Sequence, residues 1–193
     1  MPEQSVDDAL VRELKRTLSV QRFQHVEGVV ASAEQLAQKY GVSVRKARTA
    51  AWLHDLAREW PREQLLSTVR TFPLPDGFED VPALLHGPIA AHIGKTQFGI
   101  LEEDILDAVR YHTTGRPNMT PLDLVLFVAD AIEPGRTYGG VEEIREASQR
   151  SLEEAARISI DGTLRFMLDA KRPIVRLTVE ARNSLLGAEL REA

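Results

Sequence analysis

Apolar residues along this chain recur at spacings of three and four, and nowhere alternate convincingly with period two. The pattern predicts an all-α fold. Val6 to Leu18 predicts a short amphipathic helix, with Asp7 and Asp8 in the first turn where the helix dipole favours anions. Ser19 can cap a second helix to about Tyr40, which Gly41 stops. Ser43 can cap a third, running through Ala47, Ala50, Ala51 and Leu53 to His54-Asp55. Trp60-Pro61 ends that region, and Pro61 starts another helix to about Phe72. Pro73 to Gly77 reads as a loop.

From about Val81 a helix is expected, interrupted or restarted at Gly87-Pro88. Glu102, Glu103 and Asp104 open the next, ending at Gly115, with Leu101, Ile105, Ala108 and His112 on its core stripe. Thr120-Pro121-Leu122-Asp123 is a strong start signal: a cap, a proline at the first position and an acid three residues after the cap. That helix should carry Asp130 and stop at Pro134-Gly135. Further helices are expected over Val141 to Arg150, Leu152 to about Lys171, and beyond Pro173 to about Leu190. Leu152, Ala155, Ala156, Ile160, Leu164, Phe166 and Met167 look like packing positions.

Composition adds exclusions. One domain over residues 1–193 is the simplest reading of this length, and a core of that size can be fully buried. No apolar run approaches the ~20 residues of a membrane span, and the acidic, polar start does not read as a signal peptide. The net charge of −5 has no basic footprint, which argues against a long nucleic-acid partner. Zero cysteines exclude disulfides and thiolate metal sites, so any metal must sit on nitrogen and oxygen. The cytoplasm is the expected address.

The candidate chemistry is concentrated. Four of the five histidines, His25, His54, His86 and His112, combine with Asp55 and Asp130 into the ligand types of a two-metal hydrolytic site. Asp55 is the natural bridge. Asp130 follows the wholly apolar run Leu124 to Ala129, where a carboxylate is costly to bury unless paired or metal-bound. The fifth histidine, His92, lies about 120° round an ideal helix from His86 and reads as structural or surface.

These residues resemble the HD-domain phosphohydrolase superfamily, and within it the YqeK-type symmetrical diadenosine tetraphosphate hydrolases. The segments that carry the resemblance are Arg22-Phe23-Gln24-His25, Trp52 to Ala57 around His54-Asp55, Leu85-His86-Gly87-Pro88, Tyr111 to Gly115, and Ala129 to Arg136. One departure is Arg58, which stands where the family commonly has lysine, so that a fork replaces a point charge.

The resemblance implies one HD-type helical bundle with the metal site between core helices. Residues 22–136 would form the motif core, and helices over 140–190 would pack, act as a lid or meet a partner in a homodimer. It implies a dimetal centre, iron or else manganese, cobalt, nickel or zinc. His25, His54, Asp55 and Asp130 would hold one metal; His86, His112 and the shared Asp55 the other. The implied reaction is metal-activated hydrolysis of a dinucleoside polyphosphate, diadenosine tetraphosphate giving two ADP. Asp55 and Arg58 would be catalytic, while Arg22, Arg58, Thr113, Thr114 and Arg136 are candidates for phosphate contact. Arg116 reads as rim or solvent. Competing readings are a nucleotidase of the same superfamily, a guanosine tetraphosphate hydrolase, and an inactive helical nucleotide-binding or interaction module.

Overall fold

The computed structural model describes residues 5–186 and, among them, contains helices and no strand. In order these are α1 Val6–Thr17, α2 Val20–Tyr40, α3 Val44–Leu53, α4 Arg62–Thr68, α5 His86–Gln97, α6 Glu103–Tyr111, α7 Pro121–Ile132, α8 Val141–Ala147, α9 Leu152–Asp169 and α10 Arg176–Ser184. Short 3-10 turns occupy Val69–Thr71 and Pro82–Leu84. The end of the last helix expected from the sequence, beyond residue 186, lies outside the described residues.

Local chemistry sets the boundaries. Oγ of Ser19 accepts from the Arg22 amide at 3.2 Å and opens α2. Gly41 closes α2 at φ 69°, a left-handed conformation that glycine adopts without a Cβ clash. At α7, Thr120 Oγ1 accepts from the Asp123 amide at 3.2 Å and Asp123 Oδ2 accepts from the Thr120 amide at 2.8 Å. This reciprocal pair satisfies two otherwise orphaned donors.

α7 is the centre of the bundle. Its residues from Leu122 to Ala129 are all buried, because α2, α3, α6, α8 and α9 pack around it. A helix that is apolar on every side is one that neighbours enclose. Asp130 is therefore delivered at the end of a buried rod. α2 packs on both α3 and α7, which gathers His25, His54 and Asp130; α5 packs on α6, which gathers His86 and His112.

Several expectations are corrected. The helix expected from Val81 is a 3-10 turn followed by α5, which starts at His86 and holds Pro88 in its first turn, where a missing amide is harmless. Leu101 is 71% exposed and precedes α6, so the buried stripe of that helix begins at Ile105. The left-handed Gly99 sends the chain around a turn there. Phe166 is 54% exposed and Met167 only partly buried, so the packing face of α9 is Leu152, Ala155, Ala156 and Ile160, with Leu164 partly buried against the core as expected. Arg116 is neither rim nor solvent: it pairs with Asp107 and Asp123, both at 2.8 Å, and ties α6 to the start of α7.

Candidate metal centre

His25 lies on α2, His54 caps the end of α3 with Asp55 directly after it, His86 begins α5, His112 caps the end of α6, and Asp130 sits in the last turn of α7. These helices bring the six side chains together. Two sets of three ligand atoms each lie within 4.8 Å of one another: His25, His54 and Asp130 in one, Asp55, His86 and His112 in the other. Asp55 joins the sets. Its Oδ2 is 3.7 Å from His25 Nε2 and 3.6 Å from His54 Nε2, while its Oδ1 is 3.4 Å from His86 Nε2 and 3.9 Å from His112 Nε2.

The imidazoles are oriented from behind. Nδ1 of His54 lies 2.6 Å from the Ala51 carbonyl, Nδ1 of His86 lies 2.9 Å from that of Ala83, and Nδ1 of His112 lies 2.7 Å from that of Val109. Each carbonyl is three residues earlier, supplied by the turn the histidine ends or follows. A carbonyl accepts only, so Nδ1 carries the hydrogen and Nε2 is left as a lone pair aimed inward. His25 uses a carboxylate instead, with Nδ1 3.1 Å from Glu133 Oε1.

The donor set fits metal. Nε2 of His25 and Nε2 of His54 are buried without a hydrogen-bond partner. Nε2 of His86 and Nε2 of His112 approach to 3.1 Å. With both Nδ1 atoms protonated, two lone pairs face each other at that distance, and a cation shared with Asp55 converts the repulsion into coordination.

The electrostatics agree with a site kept deprotonated. Burial holds His86 down to about 3, helped by His112 and Arg58 and opposed by Asp55. Burial likewise lowers His112, with His54 adding to the effect. For Asp55 burial works the other way, yet His54, His86 and His112 outweigh it and hold the carboxyl down to about 2. Asp130 is also held well below the usual carboxylate range: burial opposes ionisation, but His25, whose Nε2 lies 3.2 Å from Asp130 Oδ1, and the charges of His54, Arg136 and His112 prevail. His25 is raised, because Asp130 and Glu133 outweigh its burial.

Two of the arginine candidates stand at this centre. Arg22 Nη1 donates to Asp55 Oδ2 at 3.1 Å, and Arg136 Nη2 donates to Asp130 Oδ1 at 2.5 Å. Both line a cleft of about 530 Å³ that includes His25 and Glu133. Arg58 is exposed and donates to the Ala83 carbonyl at 3.2 Å, on the His86 side. Thr113 Oγ1 is 3.2 Å from His112 Nε2, within the centre. Thr114 is 2% exposed and spends its donor on the Gly115 carbonyl at 2.9 Å, so its hydroxyl is not offered to a phosphate. His92 stands apart, stacked on Phe72 with ring centroids 4.3 Å apart.

Two participants escaped the sequence reading. Glu133 Oε2 accepts from the Gly135 amide at 2.6 Å, which aims Oε1 at His25. A Cβ at Gly28 would stand 2.7 Å from Glu133 Oε2, so glycine is what lets α2 approach this carboxylate. The signal was Gly28 three residues after His25, on the same face of α2. Arg145 donates from Nε to the Ile132 carbonyl at 3.1 Å, and from Nη2 to the carbonyls of Glu133 and Arg136 at 3.0 and 2.9 Å. It fixes the turn that carries Glu133 and Arg136.

Residues 22–135 match the model of the HD domain. The chain is 38% identical over 175 residues to the symmetrical bis(5'-nucleosyl)-tetraphosphatase of Bacillus subtilis, covering 90% of this chain and 94% of the relative. It is 37% identical over 174 residues to the Halalkalibacterium halodurans protein of the same name, covering 90% and 93%. A crystal structure from Clostridium acetobutylicum, described as an HD superfamily hydrolase involved in NAD metabolism, superposes with a TM-score of 0.88 at 37% identity, covering 92% of this chain and 95% of that one. With the family model spanning more than half of the chain and these relatives matching nearly all of it, the protein belongs to the HD-domain family, among the relatives known as symmetrical bis(5'-nucleosyl)-tetraphosphatases.

Proposed function

We propose that this protein is a dimetal hydrolase that cleaves diadenosine tetraphosphate symmetrically into two ADP. The observation that carries the reading is the convergence of four inward-facing Nε2 atoms on the two carboxylates, with Asp55 between the two sets. The relatives named for this activity match nearly the full chain and support the choice of substrate.

His25, His54, Asp55 and Asp130 would hold one divalent cation, and His86, His112 and Asp55 the second. Nitrogen and oxygen donors suit iron, manganese, cobalt, nickel or zinc, and iron is the metal we expect first. Such a pair supplies Lewis acidity and makes water acidic enough to act near neutral pH. The chain's own groups do the rest. Arg22 and Arg136 line the cleft and hold phosphate oxygens, their forks suited to bidentate contact. Arg58 adds positive charge on the His86 side, and the Thr113 hydroxyl borders the reacting phosphorus. The Nδ1 contacts and Glu133 hold each imidazole in one tautomer.

The water oxygen bonds to a phosphorus beside the central bridging oxygen, the bond between that phosphorus and the bridge breaks, and ADP leaves as a stable diphosphate. No dedicated protein acid is required for such a leaving group. Residues 22–136 carry this chemistry in our reading, the C-terminal helices complete the same domain, and the setting is cytoplasmic; among the described residues no helix is long and apolar enough to cross a membrane.

The test is elemental analysis of protein purified without chelator, with hydrolysis followed on the same sample. The expected result is near two transition metals per chain and ADP as sole nucleotide product. One metal, or AMP with ATP, returns the protein to the nucleotidase reading. Nucleotide binding without turnover in added metal returns it to the inactive module.

A further inference from the structure

We propose that the groove along α9, walled by Tyr138 and Phe166, is the subsite for one nucleobase of the substrate. This rests on the proposed function for the identity of the ligand. The groove encloses about 580 Å³ between α9 and the Tyr138-Gly139-Gly140 turn that precedes α8. Two aromatic side chains line it and both are solvent-accessible, Tyr138 at 43% and Phe166 at 54%.

Gly162 lies one helical turn before Phe166 on α9 and also lines the groove. Glycine is a poor helix former, and here no packing requires it: a Cβ at this position meets nothing within 4 Å. Its missing side chain leaves open space in a lining it shares with Tyr138 and Phe166, which is room for a flat ring. Aromatic faces of this kind take any base by stacking.

Two links tie residues of the groove's lining to neighbours of the centre. Tyr138 is two residues past Arg136, and its hydroxyl donates to the Ala131 carbonyl, next to Asp130, at 2.7 Å. Thr163 borders both this groove and a smaller apolar cavity that includes Thr113, the neighbour of His112. Charge sets the direction. Glu143 and Asp169 outnumber Arg165 around the groove and repel phosphate, while Arg22 and Arg136 attract it into the neighbouring cleft. That cleft has no Phe, Tyr or Trp in its wall and suits the polyphosphate rather than the base.

Two variants test this on the metal-loaded protein. Gly162→Leu adds to the lining a side chain whose Cβ has open space, and Phe166→Ala removes an exposed wall, so neither disturbs the core. ADP and inorganic pyrophosphate are titrated by calorimetry. We expect ADP affinity to fall about tenfold in each variant, as loss of base stacking requires, with pyrophosphate affinity unchanged. Unchanged ADP affinity, or equal weakening of both ligands, overturns the subsite. If the parent protein fails to hydrolyse diadenosine tetraphosphate while the variants selectively lose ADP, the subsite stands and the activity reading falls.

Discussion

Glu133 Oε1 and His25 Nδ1 are 3.1 Å apart, and this carboxylate is the one side-chain acceptor among the Nδ1 contacts of the four ligand histidines, whose other acceptors are backbone carbonyls. The other three histidines take their orientation from the turn three residues before. His25 sits mid-helix, where the preceding carbonyls are engaged within α2, so its support has to come from another element. α7 provides it, and Gly28 clears the way.

Removing that support should loosen the metal. Glu133→Ala is expected to weaken metal affinity about 10–100-fold, the usual effect of deleting the partner behind a ligand histidine. Glu133→Gln keeps an acceptor and should retain more. Equilibrium dialysis against manganese reads this directly. Equal affinity in Glu133→Ala and the parent would refute the orienting role.

The two sets of ligands should separate by mutation. His86→Ala and His112→Ala remove donors from one set, and each is expected to leave about one metal per chain. Asp55→Ala removes the carboxylate between the sets and should lower occupancy of both. Elemental analysis of the variants decides; loss of both metals in His86→Ala argues for a centre that cannot be divided.

The legible part of this protein was the part written in side chains. Ser19, Ser43 and Thr120 announced their helices because a cap is a local interaction. His54-Asp55 and Asp130 stood out because titratable groups beside apolar runs need a physical reason. Periodicity was a weaker guide at the ends of helices. It placed Leu101 and Phe166 on packing faces, but it does not say where a neighbouring helix stops, and both are exposed. Arg145 was invisible for a different reason. Its partners are backbone carbonyls, which every residue carries, so no sequence pattern marks them.

Arg145 supplies a stability test that also reaches the site. Its guanidinium holds three carbonyls in the turn after α7. Hydrogen bonds from a charged donor contribute about 1.5–3 kcal/mol, and each kcal/mol moves the melting temperature by roughly 2–4 °C in a chain of this size. Counted as one such contribution, Arg145→Met should therefore lower the melting temperature by roughly 3–12 °C. It should also raise KM more than it lowers kcat, since Arg136 loses its fixed place in the cleft. Arg145→Lys cannot span all three carbonyls and should recover only part of each effect. A stability loss with unchanged KM would confine Arg145 to the scaffold.

The stability of the metal-free protein should fall as the pH drops below about 6.5. The folded state resists protonating His86, held down to about 3, and His112, also lowered, whereas both take up a proton near 6.5 once unfolded. Above 6.5 the two states bind the same protons at these sites and no penalty exists. Between 6.5 and about 3 the unfolded state binds more, so acid favours unfolding. His25 is raised and has the opposite sign: its contribution is complete below 6.5 and is lost as the pH rises. That slope lies above 6.5, so below it His25 offsets neither lowered histidine, and the two together give a slope of at most about 2.7 kcal/mol per pH unit. Asp55 and Asp130 add to the loss only below about 4, where unfolded carboxyls begin to protonate. Melting temperatures of chelator-treated protein at pH 6.5, 5.5 and 4.5 should decrease in that order. Metal-loaded protein should lose stability more steeply over the same range, because protons then compete with the metal for all four imidazoles. A metal-free melting temperature that is flat or rising as the pH falls from 6.5 to 4.5 would mean that His86 and His112 accept protons in the folded state, contrary to the inward-facing lone pairs at 3.1 Å.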